Sequence, residues 1–157
     1  MVYYYSAGGR TKIFAEALGS VLKAQACELE SDLGKKINFG FIARALWLAV
    51  RKKESRVLNM PDKIEAEEIY VCSPVWGGAA AGPVLYFLRN AGLKNKKVNL
   101  LLTYESTGSC QKYQMRGRAL LESVDCVAGR VLMFATTKAM PEYEVAVSQM
   151  KEILEAE

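Results

Sequence analysis

Histidine is missing from the chain altogether, and that absence excludes several kinds of chemistry at once. A Ser-His-Asp triad, an imidazole general base and a histidine-ligated metal are all ruled out. The four cysteines, Cys27, Cys72, Cys110 and Cys126, form no C-x-x-C pair. They sit among apolar or helical neighbours, so free buried thiols are expected rather than a disulfide framework. No basic stretch precedes a hydrophobic segment, which argues against a signal peptide. The most apolar run, Phe39 to Val50, is interrupted by Arg44 and is too short to span a bilayer. A cytoplasmic protein with no membrane contact is the expectation. The absence of histidine fits a protein whose chemistry is carried by a bound organic cofactor.

Charge is also sparse in pattern. The 21 basic and 17 acidic residues leave a formal charge of +4. The excess is scattered over Lys35-Lys36, Arg51-Lys52-Lys53, Lys94 to Lys97 and Arg116 to Arg130. No aromatic residues interleave with these cations as stacking platforms would require, so a solvated surface is expected and nucleic acid is not. With 157 residues, 51% of them apolar and 24% charged, the chain reads as one domain over residues 1–157 with a full core. It has no linker, repeat or low-complexity segment.

What the chain does contain is alternation. An aromatic β-prone run from Val2 to Tyr5 gives way to a helical pattern in which Ile13, Ala17, Leu18, Val21 and Leu22 form the apolar face. Ala26–Glu30 alternates like a strand near a sheet edge. A helix over Phe39–Val50 follows, with Arg51-Lys52-Lys53 at its C-terminal end, where cations suit the helix dipole. Glu68–Pro74 and Lys97–Thr103 read as buried central strands. Helices are expected from Pro83 to Asn90, from about Gln111 to Ser123 and from Pro141 to Glu157, with a last strand between Val124 and Phe134. Strand and helix alternate five times, which implies a parallel sheet covered on both faces by right-handed crossovers.

Three small-residue loops follow three of these strands: Ser6–Thr11, Ser73–Gly78 and Thr103–Ser109. The first joins a strand to a helix, so its backbone N–H groups and the positive helix end converge on one point suited to an anion such as phosphate. Gly8 and Gly9 remove the Cβ atoms that would hold a ligand off, and Ser6 and Thr11 add hydroxyl donors. It is neither a Walker A loop, which needs Gly-Lys-Ser/Thr, nor a dinucleotide G-x-G-x-x-G, since its pattern is Ser6-x-Gly8-x-x-Thr11. Glu28 and Glu30, near where a ribose-binding acid would sit, do not restore the dinucleotide reading. The plain alternative is a strand–helix turn capped by Ser6 or Thr11.

The opening resembles the flavodoxin signature, with Val2, Tyr3, Tyr4, Ser6, Gly9, Thr11 and Ala15 in its places. That resemblance implies an α/β, flavodoxin-like, doubly wound five-stranded parallel sheet in the order 2-1-3-4-5, with FMN at the carboxyl ends of strands one and three. Ser6, Gly8, Gly9 and Thr11, with Ala7 between, would then hold the 5′-phosphate. Arg10 stands where the family more often has a neutral residue. Pairing with the phosphate and pointing into solvent are both open to it. Ser73-Pro74-Val75-Trp76-Gly77-Gly78 is similar to the family's second loop. By that likeness Trp76 would meet the isoalloxazine ring and Gly77 would face flavin N5. A rim-side core residue is the alternative for Trp76, but a Trp between Val75 and Gly77-Gly78 at a strand's end is a poor core position, so ligand contact is expected. Thr103, Tyr104, Glu105 and Gly108 fall in the third loop. There Tyr104-Glu105 replaces the Gly-Gly pair common in the family, and Tyr104 is placed against the other ring face.

Two functions follow from these expectations. One is an FMN-binding redox protein, acting either as an electron carrier or as a small oxidoreductase, with a partner protein or small-molecule electron acceptor that the sequence leaves unknown. Its mildly basic charge differs from the strongly acidic surfaces of many flavodoxins. The other is a flavin-free binding or regulatory module of the same fold, working through the basic, aromatic helix at 39–53. Homodimer formation is left open.

Overall fold

The computed structural model describes the chain apart from residues 35–38, 52, 106–108, 138 and 157 and the side chains of 39, 49 and 50. Strands β1 (Val2–Tyr4), β2 (Ala26–Glu28), β3 (Glu68–Trp76), β5 (Lys97–Glu105) and β6 (Val127–Thr136) form a parallel sheet in the order β2-β1-β3-β5-β6. A two-residue strand, β4 (Ala79–Ala80), pairs antiparallel with the end of β3. Counting only the parallel strands, this is the expected 2-1-3-4-5 order. The short β4 hairpin is an addition that the sequence pattern did not suggest, and β3 runs two residues beyond its expected end. Helices α1 (Arg10–Val21), α2 (Phe39–Val50), α3 (Gly82–Asn90), α4 (Cys110–Glu122) and α5 (Tyr143–Glu155) fill the intervals.

Side-chain alternation along the strands divides the interior in two. Tyr3 and Tyr5 of the first strand segment, Ile69 and Val71 of β3, and Val98, Leu100 and Leu102 of β5 enter one core with Val84, Phe87 and Leu88 of α3 and Leu121 of α4. Val2, Tyr4, Tyr70, Cys72 and Leu101 face the opposite way, against Phe14 and Leu18 of α1 and Ala146 and Met150 of α5. Helices therefore cover both faces. That is why the central strands are apolar at nearly every position instead of at alternate ones.

Two sequence expectations shift in detail. Of the apolar face expected for α1, Ala17 and Leu18 are fully buried, together with Thr11, Phe14 and Ala15, whereas Ile13, Val21 and Leu22 lie at its margin, so the buried face is rotated toward Phe14. Phe14 accounts for the rotation, because its ring packs at 5.0 Å on Phe134 of β6. Of the four thiols expected to be buried, Cys72 is buried, Cys27 and Cys126 are partly buried, and Cys110 is exposed at the start of α4. The amino end of that helix reaches the surface beside the third loop, so its first residue has no covering layer. All four thiols are free.

Helix α2 contributes less to the interior. Phe41, Ala45 and Leu48 join Leu33 in a small separate cluster that touches Trp76. Ile42, Leu46 and Trp47 are about half exposed, and the cations of Arg51 and Lys53 each lie 5.1 Å from the Trp47 ring centroid. No helix among the described residues is long and apolar enough to cross a membrane.

Candidate functional site

The three loops meet at the carboxyl edge of the sheet around a cleft of about 740 Å³. Thirteen of the sixteen residues singled out in the sequence line it: Ser6, Ala7, Gly8, Arg10 and Thr11 from the first loop, Pro74, Val75, Trp76, Gly77 and Gly78 from the second, and Thr103, Tyr104 and Glu105 from the third. Gly9 and Ser73 are not among its lining residues, and Ser73 is fully buried. The remaining position, Gly108, lies outside the described residues.

The first loop leaves a helix end and a buried hydroxyl without partners among the described residues. Gly9 is the residue that caps α1, at φ +83°, and no side chain caps the helix. A Cβ at this position would meet only the flexible end of Met140, at 3.0 Å, so it is the positive φ that favours glycine here. The first turn of α1 contains no acidic residue. Its open N–H groups and positive dipole end are therefore left facing the cleft without an internal anion. Capping by Ser6 or Thr11, the plain alternative for this turn, does not occur. Ser6 is the side chain among the described residues whose oxygen is buried and has no hydrogen-bond partner. An orphaned hydroxyl of that kind costs about 1–3 kcal/mol unless something bound supplies its partner.

Thr11 is held differently. Its Oγ1 lies 2.8 Å from Thr103 Oγ1 in a buried pair that ties the first loop to β5. Arg10 opens α1 and forms an ion pair with Glu105 at 3.7 Å, joining the first loop to the third.

The second loop is a two-residue hairpin turn. Val75 pairs with Ala80 and Trp76 with Ala79, leaving Gly77 and Gly78 at φ +56° and +81°. Positive φ at both central positions is what a type I′ turn demands, and it explains the Gly-Gly pair. Trp76 lines the cleft and also meets Tyr5 edge-on at 5.5 Å and Phe41 at 6.0 Å. The rim-side packing role and the cleft-facing position are thus combined in one residue. Ser73 serves the same hairpin from below, since its Oγ accepts from the N–H of Ala81 and donates to the Pro74 carbonyl, both at 2.9 Å.

Five further residues complete the wall: Ser109, Lys112, Tyr113, Arg116 and Thr136. Arg116 donates to the Gly78 carbonyl at 2.9 Å, and Thr136 donates to the Tyr104 carbonyl at 3.1 Å. The Tyr113 ring lies 5.7 Å from Tyr104, edge to face. A hydrogen bond with the Cys110 thiol, together with partial burial, holds the Tyr104 phenol above its ordinary pKa. A legible signal existed for two of these residues, because Lys112 and Arg116 sit one turn apart on the helix that follows the third loop. Thr136 carried none, since only the pairing of β5 with β6 brings it to the rim.

Sheet order, crossover helices and a cleft made by the loops after β1, β3 and β5 together define a flavodoxin-like fold. No family model matches the chain, and no curated protein matches it in sequence. Solved structures do. A protein of Bacteroides uniformis assigned as a flavoprotein superposes with a TM-score of 0.70 at 17% identity, over 96% of each chain. One of Bacteroides eggerthii, similarly assigned, gives 0.69 at 17% identity over 98% of this chain and 96% of its own. A Lactobacillus acidophilus flavoprotein in complex with FMN gives 0.60 at 23% identity, over 85% of this chain and 89% of that one.

Proposed function

We propose that the protein binds FMN in this cleft and works as a redox protein. The observation that carries the reading is the first loop. It combines an uncapped helix N-terminus, a glycine cap at positive φ and a buried Ser6 hydroxyl without a partner. Each is what a terminal phosphate would complete. The structural likeness to an FMN complex supports the same choice of ligand.

In this reading the first loop and the amino end of α1 hold the phosphate, with Ser6 donating its hydroxyl. Thr11 orients the loop through Thr103 and keeps a second hydroxyl direction for the ligand. Trp76 supplies an apolar ring wall whose orientation Tyr5 and Phe41 fix. The Gly77-Gly78 turn brings backbone close to the ring without interposed side chains. When bound, FMN supplies the electron-accepting and electron-donating chemistry, and the chain binds, orients and partly shields it.

The test is purification with flavin analysis, followed by titration of the apoprotein with FMN and riboflavin. FMN is expected to bind more tightly than riboflavin by about tenfold or more, because each charge-assisted hydrogen bond to the phosphate contributes roughly 1.5–3 kcal/mol. Saturation at a hundred times Kd should stabilise the fold by about 2.7 kcal/mol. Equal affinity for the two flavins would remove the phosphate assignment, and no binding of either would leave the flavin-free module as the better account.

A further inference from the structure

The cleft has two chemically different ends, set by the topology. Helix α1, with its open N-terminus, packs on the same face of the sheet as α5. Helix α4 packs on the opposite face, with α3, and its Arg116 reaches over to the Gly77-Gly78 hairpin. A molecule that places its phosphate at α1 therefore extends its other end toward α4.

That second end is cationic. Lys112 and Arg116 both line the cleft and are one helical turn apart. Among the described residues, the only ion pair within the cleft wall joins Arg10 to Glu105. Three cations thus face one carboxylate. The carboxylate is committed to Arg10, and Lys112 has no ion-pair partner among the described residues. A fixed excess of positive charge favours whichever ligand form carries more negative charge at that end.

Resting on the FMN reading, we propose that Lys112, assisted by Arg116, raises the reduction potential of the bound flavin by selectively stabilising its reduced form. Uptake of two electrons and one proton turns the neutral ring of FMN into one bearing a single negative charge, while the phosphate charge is unchanged. A cation beside the ring then adds affinity for the reduced form and little for the oxidised one. This makes the α4 edge a device by which the bound flavin accepts electrons at higher potential. Arg116 also positions the hairpin through the Gly78 carbonyl, so Lys112 is the cleaner probe.

The experiment compares the wild-type protein with K112Q, K112E and K112R, each loaded with FMN. Oxidised FMN and riboflavin affinities are measured first. The two-electron midpoint is then measured by anaerobic titration with dithionite against redox dyes, with no substrate present. K112E should weaken the reduced form about tenfold more than the oxidised form, which lowers the midpoint by about 30 mV. K112Q should give about half that shift, K112R should match wild type, and added salt should shrink the differences because the side chain is exposed. Unchanged midpoints across the series, or a K112R shift as large as that of K112E, would overturn the proposal while FMN binding stands. Failure of the wild-type protein to prefer FMN over riboflavin would overturn the cofactor reading, and this inference with it.

Discussion

Ser6 and Thr11 are both hydroxyl residues of the first loop, yet the structure gives them opposite energetics. The Ser6 oxygen is buried and unpartnered, whereas that of Thr11 is buried and paired with Thr103 at 2.8 Å. Ser6→Ala should therefore weaken FMN about tenfold and leave the melting temperature of the apoprotein unchanged or slightly raised, because it removes an unsatisfied group. Thr11→Val should do both kinds of damage. It removes one hydroxyl and orphans another, so the apoprotein should lose about 1–3 kcal/mol in addition to any loss of FMN affinity. The buried pair with Thr103 is why the apoprotein should feel this substitution. Denaturant titration of both apo variants, with flavin titration alongside, separates the two roles. A Ser6→Ala protein with wild-type FMN affinity would mean that the orphaned hydroxyl does not meet the phosphate.

At the scale of elements, the sharpest constraint is the hairpin at the end of β3. Gly78 has φ +81°, and a Cβ built there would fall on the Arg116 guanidinium. Gly78→Ala should cost about 1–2 kcal/mol for left-handed backbone alone, with a further loss from displacing Arg116. Because the same turn carries Trp76, the variant should also bind FMN more weakly. Arg116→Ala in the Gly78→Ala background should recover part of the loss by clearing the clash, and a double-mutant cycle measures how much. If Gly78→Ala unfolds at the wild-type denaturant midpoint, the turn does not hold this conformation in solution.

Across the whole molecule, the tyrosines clustered in the first strand and the residue after it set an alkaline limit. Burial pushes the Tyr4 and Tyr5 phenols up to about 12, with the Glu28 carboxylate adding to the shift in both cases. An unfolded chain releases these protons near the ordinary value of about 10, while the folded chain keeps them until about 12. In that window the unfolded state binds fewer protons, so stability must fall as pH rises. Urea midpoints should decline steadily from about pH 10 upward. Tyr5→Phe should remove about one proton from that dependence, reducing the slope by about 1.4 kcal/mol per pH unit. A slope unchanged in Tyr5→Phe would mean that this phenol titrates normally in the folded protein.

The succession of apolar strands and amphipathic helices was open to reading because it rests on local periodicity, and doubly covered strands must be apolar on both sides. The first loop was legible for the same reason, since Ser6, Gly8 and Gly9 are adjacent in the chain and need no long-range contact to be recognised. Tertiary structure alone decided which hydroxyl is engaged and which is left over. Thr11 and Thr103 are far apart in sequence, and only the parallel sheet brings them within hydrogen-bond reach. It likewise decided that Trp76 is braced by Tyr5 and Phe41, and that Thr136 and the α4 cations close the cleft. A sequence pattern records what each segment buries, whereas a site built by three loops and a helix depends on strand order, which is fixed by the packing of the whole sheet.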